Sequence, residues 1–120
     1  MFTSLFHKGP PPTLQIFYQG TLVAELHKAK QDNRPVYTFK YLPAFKGLKL
    51  ADLPGLPYSE EPQAASMLWP FFAERIPDAR RPEIQAWMKM KHLSEYDDIG
   101  LLAALGSHSI TDPFEIRRAA

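Results

Sequence analysis

The sequence contains no cysteine. Disulfide bridges and thiolate metal sites are therefore excluded, a usage compatible with a reducing cytoplasm. No stretch approaches the roughly 18 apolar residues that a membrane helix needs. Residues 1–8 carry one lysine and no long apolar run, so they do not make a signal peptide. An excess of either charge is missing too: 14 basic residues face 13 acidic ones, a net charge of +1. Proteins built mainly to hold nucleic acid show a clear basic excess, so this balance argues against direct nucleic-acid binding. The four histidines, His7, His27, His92 and His108, show no partner at i+4 and no H-E-x-x-H spacing. No metal site and no cofactor is expected. There is no Walker loop, no kinase catalytic Asp loop and no G-x-S-x-G. The adjacent acids Glu60-Glu61 and Asp97-Asp98 lack a base, nucleophile or oxyanion device, and read as charges facing water at element starts. No catalytic residue is assigned, and the chain is not expected to be an enzyme.

What the chain does have is ordinary globular material. It is 120 residues long with 45% hydrophobic and 22% charged residues, enough for one domain with a real core. Proline is the outlier, with twelve residues, about double the average usage. The prolines are dispersed and punctuate structure. The expected organisation is a flexible lead-in over residues 1–12, a domain over 13–106 and a tail over 107–120.

Residues 13–19 and 21–27 alternate apolar and polar positions around Gln19-Gly20, which predicts a β-hairpin with a turn of positive φ. Residues 28–35 read as a polar loop. Residues 36–41 read as a third strand with Tyr37, Phe39 and Tyr41 on one face. Residues 42–58 are rich in proline and glycine and read as an ordered loop, with a short strand around 48–50. Leu53 and Leu56 are expected to point inward from the turn cluster 52–57.

Residues 67–78 hold the densest apolar material and are expected to form a central helix, with Pro70 in its first turn. Leu68, Phe71, Phe72 and Ile76 share its inner face, and Pro77 stops it. Residues 82–92 are a second helix with Ile84, Trp87 and Met88 inward. Residues 94–105 are a third, capped by Ser94 with Asp97 and ended by Gly106, with Ile99, Leu102, Ala103 and Leu105 inward. Phe114 and Ile116 form a short strand or dock, while Arg117 and Arg118 are solvated. The fold class is α+β: a small antiparallel sheet, hairpin plus third strand, packed against about three short helices.

Trp87 reads as core. Trp69 lies on the flank of its helix, where a tryptophan serves either as a partner anchor or as cover for the sheet edge. Arg75, Arg80, Arg81, Lys89 and Lys91 gather near the two helices and read as a solvated face.

Four passages in order carry a family resemblance: I-F-Y-Q-G-T-L-V-A-E-L from Ile16, Y-T-F-K-Y from Tyr37, W-P-F-F-A-E-R-I-P-D from Trp69 and D-D-I-G-L-L-A-A-L-G from Asp97. Together they resemble the N-terminal subdomain of HipA-type serine/threonine kinase toxins over residues 14–106. The chain departs from that pattern at Ala24, where glycine is usual, and at Asp52-Leu53-Pro54-Gly55-Leu56-Pro57, which replaces a more strand-like segment. The family's kinases run on into a catalytic core, whereas this sequence stops at Ala120. A chain of this kind resembles the standalone HipS-type members of three-gene HipBST toxin–antitoxin systems. The resemblance implies a bacterial, cytoplasmic antitoxin that neutralises a separate HipT-like kinase, with a HipB-like DNA-binding protein in a ternary complex. Two alternatives are an N-terminal accessory fragment of a full HipA-type kinase and a DNA-associated subunit of the same complex. On the antitoxin reading, the partner-binding residues are Trp69, Met67, Pro70, Phe71, Arg75 and Arg80. Trp69 would lodge near the kinase's nucleotide site, and Arg75 and Arg80 would pair with rim acids.

Overall fold

A computed structural model of the chain describes residues 13–76, 78, 80–92, 97–109 and 112–119. The lead-in, Pro77 and the Ser94 half of the expected capping box lie outside the described residues.

The expected hairpin forms from β1 (Thr13–Tyr18) and β2 (Thr21–Gln31). Gln19 and Gly20 both adopt positive φ, +47° and +85°, the requirement of a type I′ turn. Ile16 faces Ala24 while Phe17 faces Leu22, so Val23 is an extra residue in the ladder. This bulge turns Val23 and Ala24 both inward, and the Val23 carbonyl accepts the Leu42 amide at 2.9 Å.

Residues 28–35 are not a loop. β2 continues to Gln31, and β3 (Arg34–Tyr41) begins after only two intervening residues. Asp32 and Asn33 supply the turn with φ of +51° and +65°. Both types tolerate the left-handed region, so a second type I′ hairpin closes where polar residues suggested a loop. The expected strand near 48–50 is absent. A one-turn helix α1 (Pro43–Gly47) stands just before it, burying Phe45 and leaving Leu48 41% exposed.

β4 (Gln63–Ala65) pairs antiparallel with β3, and β5 (Phe114–Arg118) pairs antiparallel with β1. The sheet has five antiparallel strands in the order β4-β3-β2-β1-β5. Part of the stretch expected as a tail is thus a sheet strand, because Phe114 and Ile116 have apolar partners opposite them in Tyr18 and Ile16.

The expected helix over residues 67–78 shrinks to α2 (Pro70–Ala73). α3 (Pro82–Met90) and α4 (Asp98–Leu105) follow. The described residues form an α+β fold in which α1, α2, α4 and the connections cover one sheet face, with α3 packed outside on α4. That face buries Leu14, Ile16, Leu26, Tyr37, Phe39, Tyr41 and Ile116, and the leucines of the 52–57 cluster close over it. Within α4, Ile99, Leu101 and Leu102 are buried. Leu105, expected inward, is 45% exposed at the last residue of α4. Asp97 is the N-cap, accepting the Gly100 amide at 3.0 Å. Trp87, expected in the core, is only half-buried, since α3 lies over α4 and not over the sheet.

Tyr41 ties the loop to the sheet. Its hydroxyl donates to the Leu56 carbonyl and accepts the Leu53 amide at 3.0 Å. Burial pushes the Tyr41 pKa up to about 12, opposed by the Leu53 amide. The folded-state value lies above the unfolded one of about 10, so the contribution to stability is intact below pH 10 and lost as pH rises towards 12. In urea titrations the wild type should lose stability across that window, and Tyr41→Phe, less stable at pH 8, should show a shallower decline. Parallel declines would remove Tyr41 as the cause.

Candidate partner-binding surface

The segment 66–70 is held at both ends. Upstream, β4 is paired to β3 through Tyr37–Ala65, Thr38–Ala64 and Phe39–Gln63. Downstream, Trp69 is the N-cap of α2, and its carbonyl accepts the amides of Phe72 and Ala73, both at 2.9 Å. Pro70 takes the first helical position, where its missing N–H costs nothing. The Phe71 amide donates to the Pro54 carbonyl at 3.3 Å. Gly55, with φ of +79°, lets the Pro70 ring sit against its backbone: a Cβ there would lie 2.5 Å from Pro70 Cδ. Four helical residues have no stability of their own, so these clamps set the position of the turn.

The six expected contact residues divide on this frame. Met67 is 77% exposed and Pro70 is exposed beside it. Trp69 is half-buried, its ring 6.1 Å from that of Phe39, so it covers the sheet and offers one edge to solvent. Met67, Trp69 and Pro70 are thus three apolar positions of this segment that reach solvent. Phe71 and Arg75 are not among them. Phe71 is buried, edge-on to Phe72 at 5.0 Å and to Phe114 at 5.7 Å. Arg80 stands apart, its side chain 90% exposed and paired with Asp78 at 2.9 Å.

Arg75 was expected at a rim and is instead a structural tie. Its side chain is 3% exposed. It donates to the carbonyls of Gly106 at 2.9 Å and Phe114 at 3.0 Å and to the Asp112 carboxylate, and it stacks 4.8 Å from the Phe71 ring centre. One guanidinium thus joins α2, the end of α4 and the start of β5. Burial pushes its pKa down, and Asp112 partly restores it. The reason it turns inward is local: α2 stops at Ala73, so the helical wheel that placed Arg75 outside does not extend to it.

A second tie escaped the sequence reading. Asp98, expected to face water, is buried. It accepts Lys28 Nζ at 2.7 Å and the Tyr37 hydroxyl, fastening the start of α4 to β2 and β3. An Asp just after an N-cap was the available signal, but Lys28 lay in the expected loop.

The basic face is mostly spent. Arg75 is internal, Arg80 pairs with Asp78, and Arg81 pairs with Glu83 at 2.8 Å. Among the described residues, no group of three or more His, Asp or Glu side chains is placed to hold a metal. No helix among them is long and apolar enough to cross a membrane.

Removing Arg75 strands two buried carbonyls and a half-buried carboxylate, so Arg75→Ala should cost about 3–5 kcal/mol in denaturant unfolding. Arg80→Ala should stay within about 0.5 kcal/mol of wild type. Equal effects would contradict the division between internal and external arginines.

No curated protein matches the chain. The family model of the HipA N-terminal domain matches residues 14–110. That span runs from the first buried residue of β1 past the end of α4, taking in β1 to β4 and α1 to α4. The chain belongs to the HipA N-terminal domain family.

Proposed function

We propose that this chain is a non-catalytic antitoxin that binds a separate HipT-like serine/threonine kinase and holds it inactive. The observation that carries the reading is the solvent-facing apolar surface of Met67, Trp69 and Pro70 on a segment clamped at both ends. An exposed methionine beside a half-exposed tryptophan is the composition of an interface anchor. Holding it in place beforehand lowers the ordering cost of binding. The family supports the partner class, since this domain in HipA-type kinases precedes the catalytic core. Docked onto a kinase that lacks it, the domain would present Trp69 and Met67 near the nucleotide-binding region. A HipB-like DNA-binding protein would complete a ternary complex in the bacterial cytoplasm, and this chain would make no direct contact with nucleic acid. Phe71 and Arg75 act in this scheme by fixing the surface, not by touching the partner.

The test is inhibition of the kinase encoded beside the gene, with binding measured in parallel. Met67→Ala should keep the wild-type melting temperature and weaken binding. Trp69→Ala should weaken it by about 30-fold or more, the effect of losing an anchor worth about 2 kcal/mol. Trp69 also packs on Phe39, so Trp69→Phe, which keeps that contact, separates affinity from stability. Full inhibition by a Met67→Ala, Trp69→Phe double variant would sink the anchor. Hydrolysis of ATP by the purified chain alone would sink the non-catalytic reading.

A further inference from the structure

The opposite edge of the sheet carries a second surface. A groove of about 590 Å³ runs between α3, α4 and the last residues of β5. Its floor is made of small residues on α4, Gly100, Ala103 and Ala104, which leave the helix backbone open. Trp87 forms one wall, close enough that a Cβ on Gly100 would lie 3.2 Å from its ring.

The charges around the groove are unequal in their commitments. Among the described residues, the two carboxylates at its rim are engaged: Asp97 caps α4, and Glu115 receives two bonds from Arg117, each of 2.9 Å. Arg117 also lies 4.3 Å from the Phe17 ring centre, on the far face of the sheet. Lys91 and Arg118 are exposed, and neither forms an ion pair among the described residues. Among the described residues, the free charge facing the groove is therefore positive.

The backbone of β5 is also half-committed. On its outer edge the Phe114 amide is capped by Asp112, the Phe114 carbonyl by Arg75 and the Ile116 amide by the Ser107 carbonyl at 2.8 Å. The Ala119 amide points the other way, to Thr13 at 2.9 Å. Strand alternation then puts the Arg118 amide on the outer edge with that of Ile116, and it has no backbone acceptor among the described residues.

We propose that this groove binds an extended acidic segment of a partner polypeptide, which adds to the open end of β5 and sets its carboxylates against Lys91 and Arg118. Edge addition supplies main-chain bonds, and side-chain pockets supply selectivity. Small residues below and Trp87 at the side suit apolar side chains alternating with the acidic ones. The inference is independent of the Met67–Trp69 surface, which lies at the β4 end of the sheet.

The test uses the full chain with Trp69→Phe, which leaves Trp87 as the reporter tryptophan. The probe is an alternating Val/Glu peptide of about eight residues, long enough to add one strand. We expect a saturable change in Trp87 emission that weakens between about 50 and 500 mM salt. Lys91→Glu with Arg118→Glu should weaken binding by about tenfold or more. Ala104→Phe, which fills the groove without changing charge, should abolish it and decides the matter if the charge variant fails to fold. No change in emission would overturn the proposal, as would binding that survives Ala104→Phe. Equal binding of a Val/Lys peptide would do the same. Displacement by inorganic phosphate or a short oligonucleotide at equal concentration would make this an anion patch, and concentration-dependent self-association would make it a contact between copies; either outcome overturns the peptide assignment.

Discussion

Phe39 is the side chain on which the rest of the molecule leans. It sits at the centre of β3, fully buried, with Tyr41 edge-on at 4.8 Å, Phe72 at 5.8 Å and Trp69 at 6.1 Å. The aromatic line continues from Phe72 to Phe71 and on to Phe114 of β5. It therefore crosses the core from a residue near the β4 edge to the β5 edge. Rings of this size bury large areas and gain from edge-to-face geometry. The sheet needs them, because a three-strand meander and two short edge strands do not hold without apolar cover. The candidate partner surface is the exposed margin of this core: Trp69 is at once the last ring of the line and the first residue offered to solvent.

Rings alone do not position helices of four or five residues, which lie well below the length that is stable in isolation. Directed polar bonds do that. Arg75 collects carbonyls and a carboxylate from three elements, Asp98 collects a lysine and a tyrosine from two strands, and Tyr41 spans both ends of the 52–57 cluster. Each is buried, and each would leave stranded polar groups if removed, so these bonds fix one arrangement more than they add net stability. The turn bearing Met67 and Trp69 inherits its rigidity from this scaffold.

Where the chain alternates, the sequence was readable. The Tyr37, Phe39, Tyr41 stripe and the Gln19-Gly20 turn follow from period two and positive φ, and the inward leucines follow from the proline–glycine cluster around them. Where tertiary bonds decide, it was not. Asp32-Asn33 looks like any polar loop until two strands are brought together around it. Gln63-Ala64-Ala65 has no apolar alternation, and is a strand only because β3 offers it an edge. The stretch after Ala73 keeps a helical pattern, but Arg75 is drawn out of it by the carbonyls of Gly106 and Phe114. The solvent exposure of Met67 and the half-burial of Trp69 agree with a stretch too apolar for one short helix to hide. Phe71 and Arg75, carried along by the same helix, fall inside for the reason the helix is short.

The two edges of the sheet are treated differently, and this bears on how a partner meets the molecule. An open strand edge is a template for unwanted pairing, and natural sheets blunt it with charge, brevity or a covering segment. β5 is covered over its first half by Asp112, Arg75 and Ser107, and flanked by cations at its end. β4 is blunted by brevity: three residues without charge, followed at once by the bend that carries Met67. A segment approaching β4 meets the exposed apolar residues after it, whereas one approaching the open end of β5 meets positive charge. A single partner that wraps the domain would need an apolar cleft for one edge and an acidic strand for the other. Two partners could each take one edge without competing, as the proposed ternary assembly would require.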